Sequence, residues 1–392
     1  MDGIYLDYNA TTPTAAEVVA AMAPFWTDNF ANPSSLHRFG QRARRAVNAA
    51  RDNIARLLGA AGPDEIIFTG GGSEADNLAL KGVAFARQDR GRHVITSAIE
   101  HPAVLGCGEW LAAEGFDVTF LAPDAEGRVL PAALAAALRP DTVLVSVMHA
   151  NNEVGTIQPV AELAALTHER GALFHTDAVQ SVGKIPVNVA ALGVDLLSLS
   201  AHKLYGPKGI GALYCRRGVT LVPVIHGGHQ EDGRRAGTHN VPGIVGLAAA
   251  LQLAAAEGEE EVRRLARLRD RLRDRLAARL PWLVIVTPAT GAMPNTLNCC
   301  FVGVDGEAVL LGLDQEGIAV STGSACASGS TEPSHVHLAM GIPAEVARGS
   351  IRFSLGRYTR EADVDRVVEV LVPIAERLRA LSPAAGERSS RG

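Results

Sequence analysis

Short apolar runs alternate with longer amphipathic segments through the first half of the chain. Seven runs have the length and composition of buried strands, at residues 65–69, 93–97, 117–121, 142–148, 172–177, 195–200 and 210–215. The segments between them space their apolar residues like helices, at residues 74–88, 102–114, 131–138 and 160–170. Strands and helices alternating in this way predict a mostly parallel, seven-stranded α/β sheet with helices on both faces. Ligands of such sheets bind beyond the carboxyl ends of the strands.

The pattern changes after about residue 243. A long helical tract is apolar first and then densely charged, and short strands, a helix from Gly306 and a last helix near residues 361–380 follow it. We therefore predict a large α/β domain at residues 15–255. A smaller α+β domain would comprise residues 1–14 and 256–380, and residues 381–392 would form a disordered tail.

Composition and charge predict a soluble cytoplasmic protein. The 392 residues are 47% hydrophobic and 20% charged, and the net charge of -5 argues against a nucleic-acid partner. The N-terminal "MDGIYLDYNATTP" lacks the features of a secretory signal, and no run of about 18 apolar residues is free of charge, which argues against a membrane span. Five irregularly spaced cysteines without a CxxC pair indicate a reducing compartment and no structural metal site.

Lys203 follows an apolar strand pattern and precedes a glycine-rich turn in "SLSAHKLYGPKGIGAL". A lysine amine is a nucleophile only when neutral, and burial near positive charge lowers its pKa. Asp177 closes the earlier run "FHTD", so a carboxylate and an amine lie at two strand ends. This pair suits pyridoxal phosphate, which binds a lysine and needs an acidic partner for its ring nitrogen. Taken singly, Lys203 could be a strand-end lysine and Asp177 a helix N-cap.

A phosphate group would find donors after another strand. The turn "TGGGSEADN" places Gly72 and Ser73 between a strand and a helix, where backbone N–H groups form an anion site. No Gly-Lys-Ser/Thr follows, so the turn is not a nucleotide P-loop. Ser200 and His202 could add further donors.

Other polar residues follow strands in the same manner. His101 in "EHPAVL" can stack on a flat ring and move protons, although a structural histidine would look alike. Asn151 and Gln180 can hydrogen-bond a phenolic oxygen. Arg352 in "SIRFSLG" suits a bidentate grip on a substrate carboxylate, or an ordinary ion pair.

Cys326 lies among small residues in "STGSACASGSTEPSH", without an apolar pattern. Cys299 and Cys300 instead fall in a strand pattern that is typical of buried, inert thiols. An exposed loop favours thiol reactivity, and an arm of about seven residues can sweep roughly 20 Å. We expect Cys326 to be a reactive nucleophile, which could also serve transiently as an iron–sulfur ligand.

Ten motifs follow one another along the chain: "YLDYNATTP", "NPSSLHRFG", "TGGGSEADN", "EHPAVL", "ANNEVGTIQPV", "FHTDAVQSVGKIP", "LSLSAHKLYGPKGIGALY", "GRRAGTHNVPGIVG", "STGSACASGSTEPSHV" and "GSIRFSLGRYT". In these motifs the chain resembles, from about residue 4 to residue 365, the cysteine desulfurases of the NifS/IscS class. These belong to the class V aminotransferase family, with the pyridoxal-phosphate-dependent fold type I. The resemblance implies pyridoxal phosphate as cofactor, L-cysteine as substrate, a homodimer, and a sulfur-acceptor or iron–sulfur scaffold protein as partner.

The resemblance also implies a role for each matched residue. Lys203 matches the lysine that binds the cofactor covalently, Asp177 the partner of its ring nitrogen, and Cys326 the nucleophile that takes the sulfur. His101 matches the ring-stacking histidine, which can act as acid or base, and Arg352 matches the carboxylate clamp.

The remaining matched positions would hold the cofactor or the substrate. Thr238 in "RAGTHN" corresponds to a residue that reaches the phosphate from the other subunit, and Asn32 lies near the carboxylate clamp. The positions matched to the phosphate site and the phenolic oxygen are Gly72, Ser73, Ser200, His202, Asn151 and Gln180.

Three other functions stay open at this point. A selenocysteine lyase would use the same lysine and aspartate without depending fully on Cys326. A transaminase of the same fold would consume a keto acid and ignore that cysteine. A non-catalytic sulfur or iron–sulfur scaffold would combine Cys326 with His335 or His337.

Overall fold

The computed structural model describes residues 3–322 and 333–382. Its strands are β1 (Ile4–Tyr5), β2 (Ile66–Thr69), β3 (His93–Ser97), β4 (Asp117–Leu121), β5 (Thr142–Ser146), β6 (Leu173–Asp177), β7 (Leu196–Ser200), β8 (Gly211–Cys215), β9 (Leu283–Ile285), β10 (Thr296–Phe301), β11 (Ile318–Ala319) and β12 (Ser350–Ser354). Its α-helices are α1 (Ala16–Met22), α2 (Pro24–Thr27), α3 (Arg38–Leu58), α4 (Gly72–Ala86), α5 (Pro102–Ala113), α6 (Pro131–Ala137), α7 (Val160–Glu169), α8 (Val189–Leu192), α9 (Val241–Arg279), α10 (Gly306–Asp314), α11 (His335–Ala339), α12 (Ala344–Ala347) and α13 (Glu361–Leu381). Cys326 and residues 383–392 of the predicted tail lie outside the described residues.

The central sheet has seven strands in the order β2-β8-β7-β6-β5-β3-β4. The strands from β4 to β7 pair in parallel, whereas β8 is antiparallel to both β2 and β7. Successive side chains of a strand point to opposite faces of the sheet. In β2, Ile67 packs against α4 and α5 on one face, and Phe68 packs against α3 and α9 on the other. Helices therefore cover both faces, and the predicted mostly parallel α/β fold is confirmed.

A separate apolar cluster forms beyond the central sheet. β10 pairs antiparallel with β9 and β12, and β1 pairs in parallel with β11. This cluster joins Leu6 near the N-terminus to Leu272, Phe353 and Leu371. The first residues of the chain thus pack with its C-terminal part, while the predicted division into residues 15–255 against 1–14 and 256–380 stays a prediction.

Helix α9 is long, and its backbone is broken at Gly258 (φ 54°, ψ -146°). By length and composition alone, this is the one helix among the described residues that could cross a membrane. Its first part packs against α1 and α3 and buries Ile244, Leu247 and Leu251 in the core of the large sheet. An apolar segment that is buried in this way is typical of a core helix.

Candidate active site

A cavity of about 230 Å³ opens beyond the carboxyl ends of β6 and β7, beside the first turn of α4. Parallel sheets bind their ligands at this place. The cavity brings together most of the site residues predicted from the sequence. Its lining residues are Asn9, Ala10, Gly72, Ser73, Asp76, His101, Met148, Ala150, Asn152, Asp177, Val179, Gln180, Ser200, His202, Lys203 and Arg352.

Lys203 ends a short 3-10 helix that directly follows β7. Its Nζ donates hydrogen bonds to the backbone carbonyl oxygens of Asn9, at 2.6 Å, and Ala10, at 2.8 Å. Two carbonyl acceptors hold the amine in place without supplying a full negative charge. The N-terminal segment thereby positions the predicted nucleophilic lysine on the wall of the cavity.

Asp177 is the last residue of β6 and is buried, with 6% of its surface exposed. Its Oδ1 accepts the backbone N–H of Val179 at 2.9 Å. Burial raises the pKa of this carboxyl group, whereas the Val179 hydrogen bond and the charges of His101 and Lys203 lower it. A cation bound in the cavity would further favour the ionised carboxylate.

His101 is the N-cap of α5, and its Nδ1 accepts the backbone N–H of Ala103 at 3.1 Å. Burial lowers the pKa of the imidazole; the charge of Asp177 opposes this effect, and that of Lys203 adds to it. A neutral ring whose Nδ1 accepts a hydrogen bond carries its proton on Nε2. Helix α5 therefore fixes both the orientation of the ring and the position of its proton.

The start of α4 forms another wall of the cavity. No side chain within residues 3–322 and 333–382 caps this helix, so the N–H groups of its first turn keep their capacity to bind an anion. A Cβ at Gly72 would meet Cγ2 of Val179 at 2.8 Å, so a larger residue would displace this turn. Ser73, Ser200 and His202 line the same cavity, and the His202 ring lies 3.1 Å from the hydroxyl of Thr11. Burial and neighbouring lysines lower the pKa of His202 to about 4, so the ring is neutral.

Arg352 projects from β12 and is held from two sides. Its Nη1 donates to the backbone carbonyl oxygen of Asn152 at 3.0 Å, and its Nη2 donates to Oδ1 of Asp7 at 2.8 Å. The side chain is 5% exposed, so this ion pair is largely shielded from water. The guanidinium is therefore oriented before any substrate arrives.

The structure does not place Asn151 at the cavity. Its Oδ1 accepts the N–H groups of Glu153 and Val154, both at 2.9 Å, and its Nδ2 donates to the carbonyl oxygen of Ile99. These bonds commit the buried amide to shaping a turn. The next residue, Asn152, lines the cavity instead. The predicted cavity residue Asn151 is thus replaced by Asn152, because the pattern "ANNEVG" does not show which asparagine faces the cavity.

Two further predicted residues, Asn32 and Thr238, are exposed and do not line the cavity of their own chain. Oδ1 of Asn32 accepts the N–H of Ser34 at 2.9 Å and shapes a local turn. Thr238 lies just before α9. Cys326 is outside the described residues, and its position relative to the cavity stays a prediction.

Asn9, Asp76 and Lys184 contribute to the site but were not predicted from the sequence. Asp76 is buried and lines the cavity, and its pKa is raised well above the ordinary value by burial and by the charge of Asp177. Lys184 donates from Nζ to Oε1 of Gln180 at 2.8 Å. The motifs "YLDYNATTP", "TGGGSEADN" and "FHTDAVQSVGKIP" contain these residues, but the motifs alone do not reveal contacts between segments far apart in the chain.

The metal-scaffold interpretation finds no support in the described part of the chain. Among residues 3–322 and 333–382, no group of three or more His, Cys, Asp or Glu side chains could hold a metal ion. His337 is fully buried and its Nε2 pairs with Oδ1 of Asn298 at 3.0 Å. Nε2 of His335 pairs with the carbonyl oxygen of Glu100 at 3.0 Å. Both histidines therefore have structural partners.

Comparison with known proteins identifies the family of the chain. The profile of the class V aminotransferases matches residues 4–367. A protein of Dictyoglomus turgidum named cysteine desulfurase IscS is 53% identical over 380 residues, which cover 97% of this chain and 96% of that protein. Among solved structures, a NifS-like protein superimposes with a TM-score of 0.90 at 40% identity, covering 96% of this chain and 100% of that one. A second structure, described as SspA in complex with cysteine, gives a TM-score of 0.80 at 40% identity, covering 91% and 100%.

The sequence motifs, the fold and these relatives agree, and they confirm the resemblance noted from the sequence. The match extends over nearly the full length of the chain, so it includes the N-terminal segment, the central sheet and the C-terminal strands that together form the cavity. The chain therefore belongs to the class V aminotransferase family and, within it, to the cysteine desulfurases.

Proposed function

We propose that this desulfurase binds pyridoxal phosphate in the cavity around Lys203 and converts L-cysteine to L-alanine, leaving the sulfur as a persulfide on Cys326. The observation that carries the proposal is one cavity lined by the amine of Lys203, the carboxylate of Asp177, the ring of His101 and the uncapped start of α4. Class V aminotransferases as a family depend on pyridoxal phosphate, which supports the assignment.

The residues of the cavity fit this cofactor. Lys203 supplies the amine that can bind its aldehyde carbon, and Asp177 can hold a protonated ring nitrogen. The N–H groups at the start of α4, with Ser200 and His202, can bind its phosphate. When bound, the cofactor supplies an electron sink that stabilises negative charge on the substrate carbon atoms.

The protein groups then have separate tasks. Arg352, oriented by Asp7, binds the carboxylate of L-cysteine. The amine of Lys203 accepts the Cα proton, since Nε2 of His101 already carries a proton and serves as a donor.

Cys326 completes the reaction as a thiolate. The thiolate attacks Sγ of the substrate and forms an S–S bond. The Cβ–Sγ bond breaks at the same time, and its electron pair stays on the three-carbon fragment that contains Cβ. Protonation of this fragment gives L-alanine. The outer sulfur of the Cys326 persulfide is then transferred to an acceptor protein for iron–sulfur cluster or thio-cofactor synthesis.

We further infer a cytoplasmic homodimer. Thr238 is exposed and lies outside the cavity of its own chain, which suits a contact to the site of a second subunit. The four cysteines of the described residues are free thiols, as a reducing compartment would keep them.

The test is the substitution Cys326→Ala, with Cys107→Ala as the matched control because that thiol is buried and its pKa is raised to about 12 by burial. We expect Cys326→Ala to keep the yellow bound cofactor but to lose alanine formation by at least about 100-fold. The control should retain turnover.

Other results would favour the other functions. Alanine release from selenocysteine by the Cys326→Ala variant would favour a selenocysteine lyase. Turnover that requires a keto acid and ignores the cysteine would favour a transaminase. A purified chain that takes up no pyridoxal phosphate would favour a non-catalytic scaffold.

A further inference from the structure

Lys184 is a second lysine beside the cavity, and the reaction proposed above does not use it. It lies between β6 and α8, and its Nζ donates to Oε1 of Gln180 at 2.8 Å. The same nitrogen lies 3.5 Å from Oδ1 of Asn9. Lys184 thus contacts two residues that line the cavity without lining it itself.

The contact with Lys184 determines which end of the Gln180 amide faces inward. Gln180 is buried, with 6% of its surface exposed, and its Nε2 donates to the carbonyl oxygen of Asn9 at 3.0 Å. Because Oε1 accepts from Lys184 and one Nε2 hydrogen is used by Asn9, the second Nε2 hydrogen is available to the cavity. Gln180 therefore presents a hydrogen-bond donor.

The charges around Lys184 are mixed. Burial and then the charges of Lys203 and Arg352 lower its pKa to about 7, while Glu257 and Glu261 of α9 line a small cavity beside it. An ammonium group and a neutral amine both carry N–H donors. The hydrogen bond to Gln180 is thus kept whether or not the amine is protonated.

We propose that Lys184 is a positioning residue for the cofactor: it fixes the Gln180 amide so that an N–H faces the cavity and donates to an anionic oxygen on the cofactor ring. The inference rests on the proposed binding of pyridoxal phosphate at this site. Without the Lys184 donor, Oε1 of Gln180 is left buried and unpaired. The flipped orientation of the amide then competes, and it turns Oε1, an acceptor, toward the anionic oxygen of the cofactor.

The experiment measures the dissociation constant of pyridoxal phosphate from the apo chain by absorbance titration. Lys184→Met should weaken binding by about 10-fold, whereas Lys184→Gln, which keeps an N–H donor, should lose less. Lys208→Met is the control, because Lys208 is an exposed lysine of the turn after Lys203 that does not line the cavity. In a Gln180→Ala background, Lys184→Met should cause no further loss.

The possible failures are distinguishable. If the unmodified chain binds pyridoxal phosphate but Lys184→Met binds it equally well, or if the losses from Lys184→Met and Gln180→Ala multiply in the double variant, Lys184 does not act through Gln180. If the unmodified chain takes up no pyridoxal phosphate, the proposed function itself is wrong. Should circular dichroism show that Lys184→Met does not fold, Lys184→Gln with and without Gln180→Ala decides in its place.

Discussion

Arg352 is a buried cation whose two terminal nitrogens have different partners. Nη2 pairs with the Asp7 carboxylate and Nη1 with a backbone carbonyl of the turn at Asn152. A planar guanidinium can satisfy both partners and still offer N–H donors to a substrate carboxylate, whereas an ammonium group acts as a single point charge. The geometry of this one side chain therefore sets how the substrate is oriented.

At the residue scale, we predict that Arg352→Lys raises the KM for L-cysteine by about 100-fold and leaves the affinity for pyridoxal phosphate within about 3-fold. Steady-state alanine formation and cofactor titration measure the two quantities. Arg366→Lys is the control, because Arg366 forms an exposed pair with Glu316. An unchanged KM in Arg352→Lys would show that another residue binds the carboxylate.

At the element scale, Glu231 joins three parts of the fold. Its carboxylate accepts from Arg51 of α3 at 2.6 Å, from the Phe68 N–H of β2 at 2.9 Å, and from His239 at 2.5 Å. Its φ of 48° lies in the left-handed region, which is unfavourable for a non-glycine residue by about 1 kcal/mol. These charge-assisted bonds offset that local strain.

The same group predicts a pH dependence of stability. Burial alone would raise the pKa of Glu231, but the hydrogen bonds from Arg51 and His239 outweigh burial and lower it to about 2. Because the folded pKa is below the unfolded one, the stabilisation is complete above about pH 4.5 and is lost as the pH falls toward 2. Its size at pH 7 is about 3 kcal/mol.

We therefore expect Glu231→Gln to lower the thermal unfolding midpoint at pH 7, with a difference from the unmodified chain that narrows below about pH 4.5. Glu316→Gln, which removes an exposed carboxylate, should change little at any pH. If the difference in unfolding midpoint between Glu231→Gln and the unmodified chain stays constant from pH 7 to pH 3, Glu231 is not an ionised, paired carboxylate in the folded protein.

At the scale of the whole molecule, Asn9 links segments from both ends of the chain. Its N–H donates to Oγ of Ser354 at 2.9 Å, its Nδ2 donates to Oγ1 of Thr296 at 2.9 Å, and its Oδ1 accepts from Nδ2 of Asn295 at 3.0 Å. Its carbonyl oxygen accepts from Lys203. Backbone and side-chain groups of one buried residue thereby join the C-terminal strands to the lysine of the cavity.

Removing the side-chain hydrogen bonds of Asn9 should destabilise the entire fold. We predict that Asn9→Ala lowers the free energy of unfolding of the apo chain by about 3 kcal/mol, since buried polar partners lose their hydrogen bonds. Denaturant unfolding measures it, with Asn53→Ala as the control because the side-chain hydrogen bonds of Asn53 to Gln252 and Arg56 are exposed. A loss below about 0.5 kcal/mol in Asn9→Ala would show that the side-chain hydrogen bonds of Asn9 contribute little to holding the two parts of the chain together.

Local patterns were sufficient to predict most elements. The predicted strand at residues 195–200 is β7 (Leu196–Ser200), and the predicted helix at residues 74–88 is α4 (Gly72–Ala86). The predicted strand at residues 142–148 ends earlier, as β5 (Thr142–Ser146). The spacing of apolar residues indicates which face of a segment is buried. It therefore locates helices and strands well, but it defines the residues at which they begin and end less well. The placement of β8 between β2 and β7, antiparallel to both, is not contained in any local pattern.

The sequence by itself determined the α/β class and the amine and carboxylate at two strand ends, because these depend on side-chain chemistry and short-range periodicity. Only the tertiary structure decided that Asn152 rather than Asn151 lines the cavity, that Asp7 orients Arg352, and that Lys184 holds Gln180. Each of those contacts depends on the direction of a side chain or on the meeting of separate elements. Such information arises from packing of the whole chain and not from the order of its residues alone.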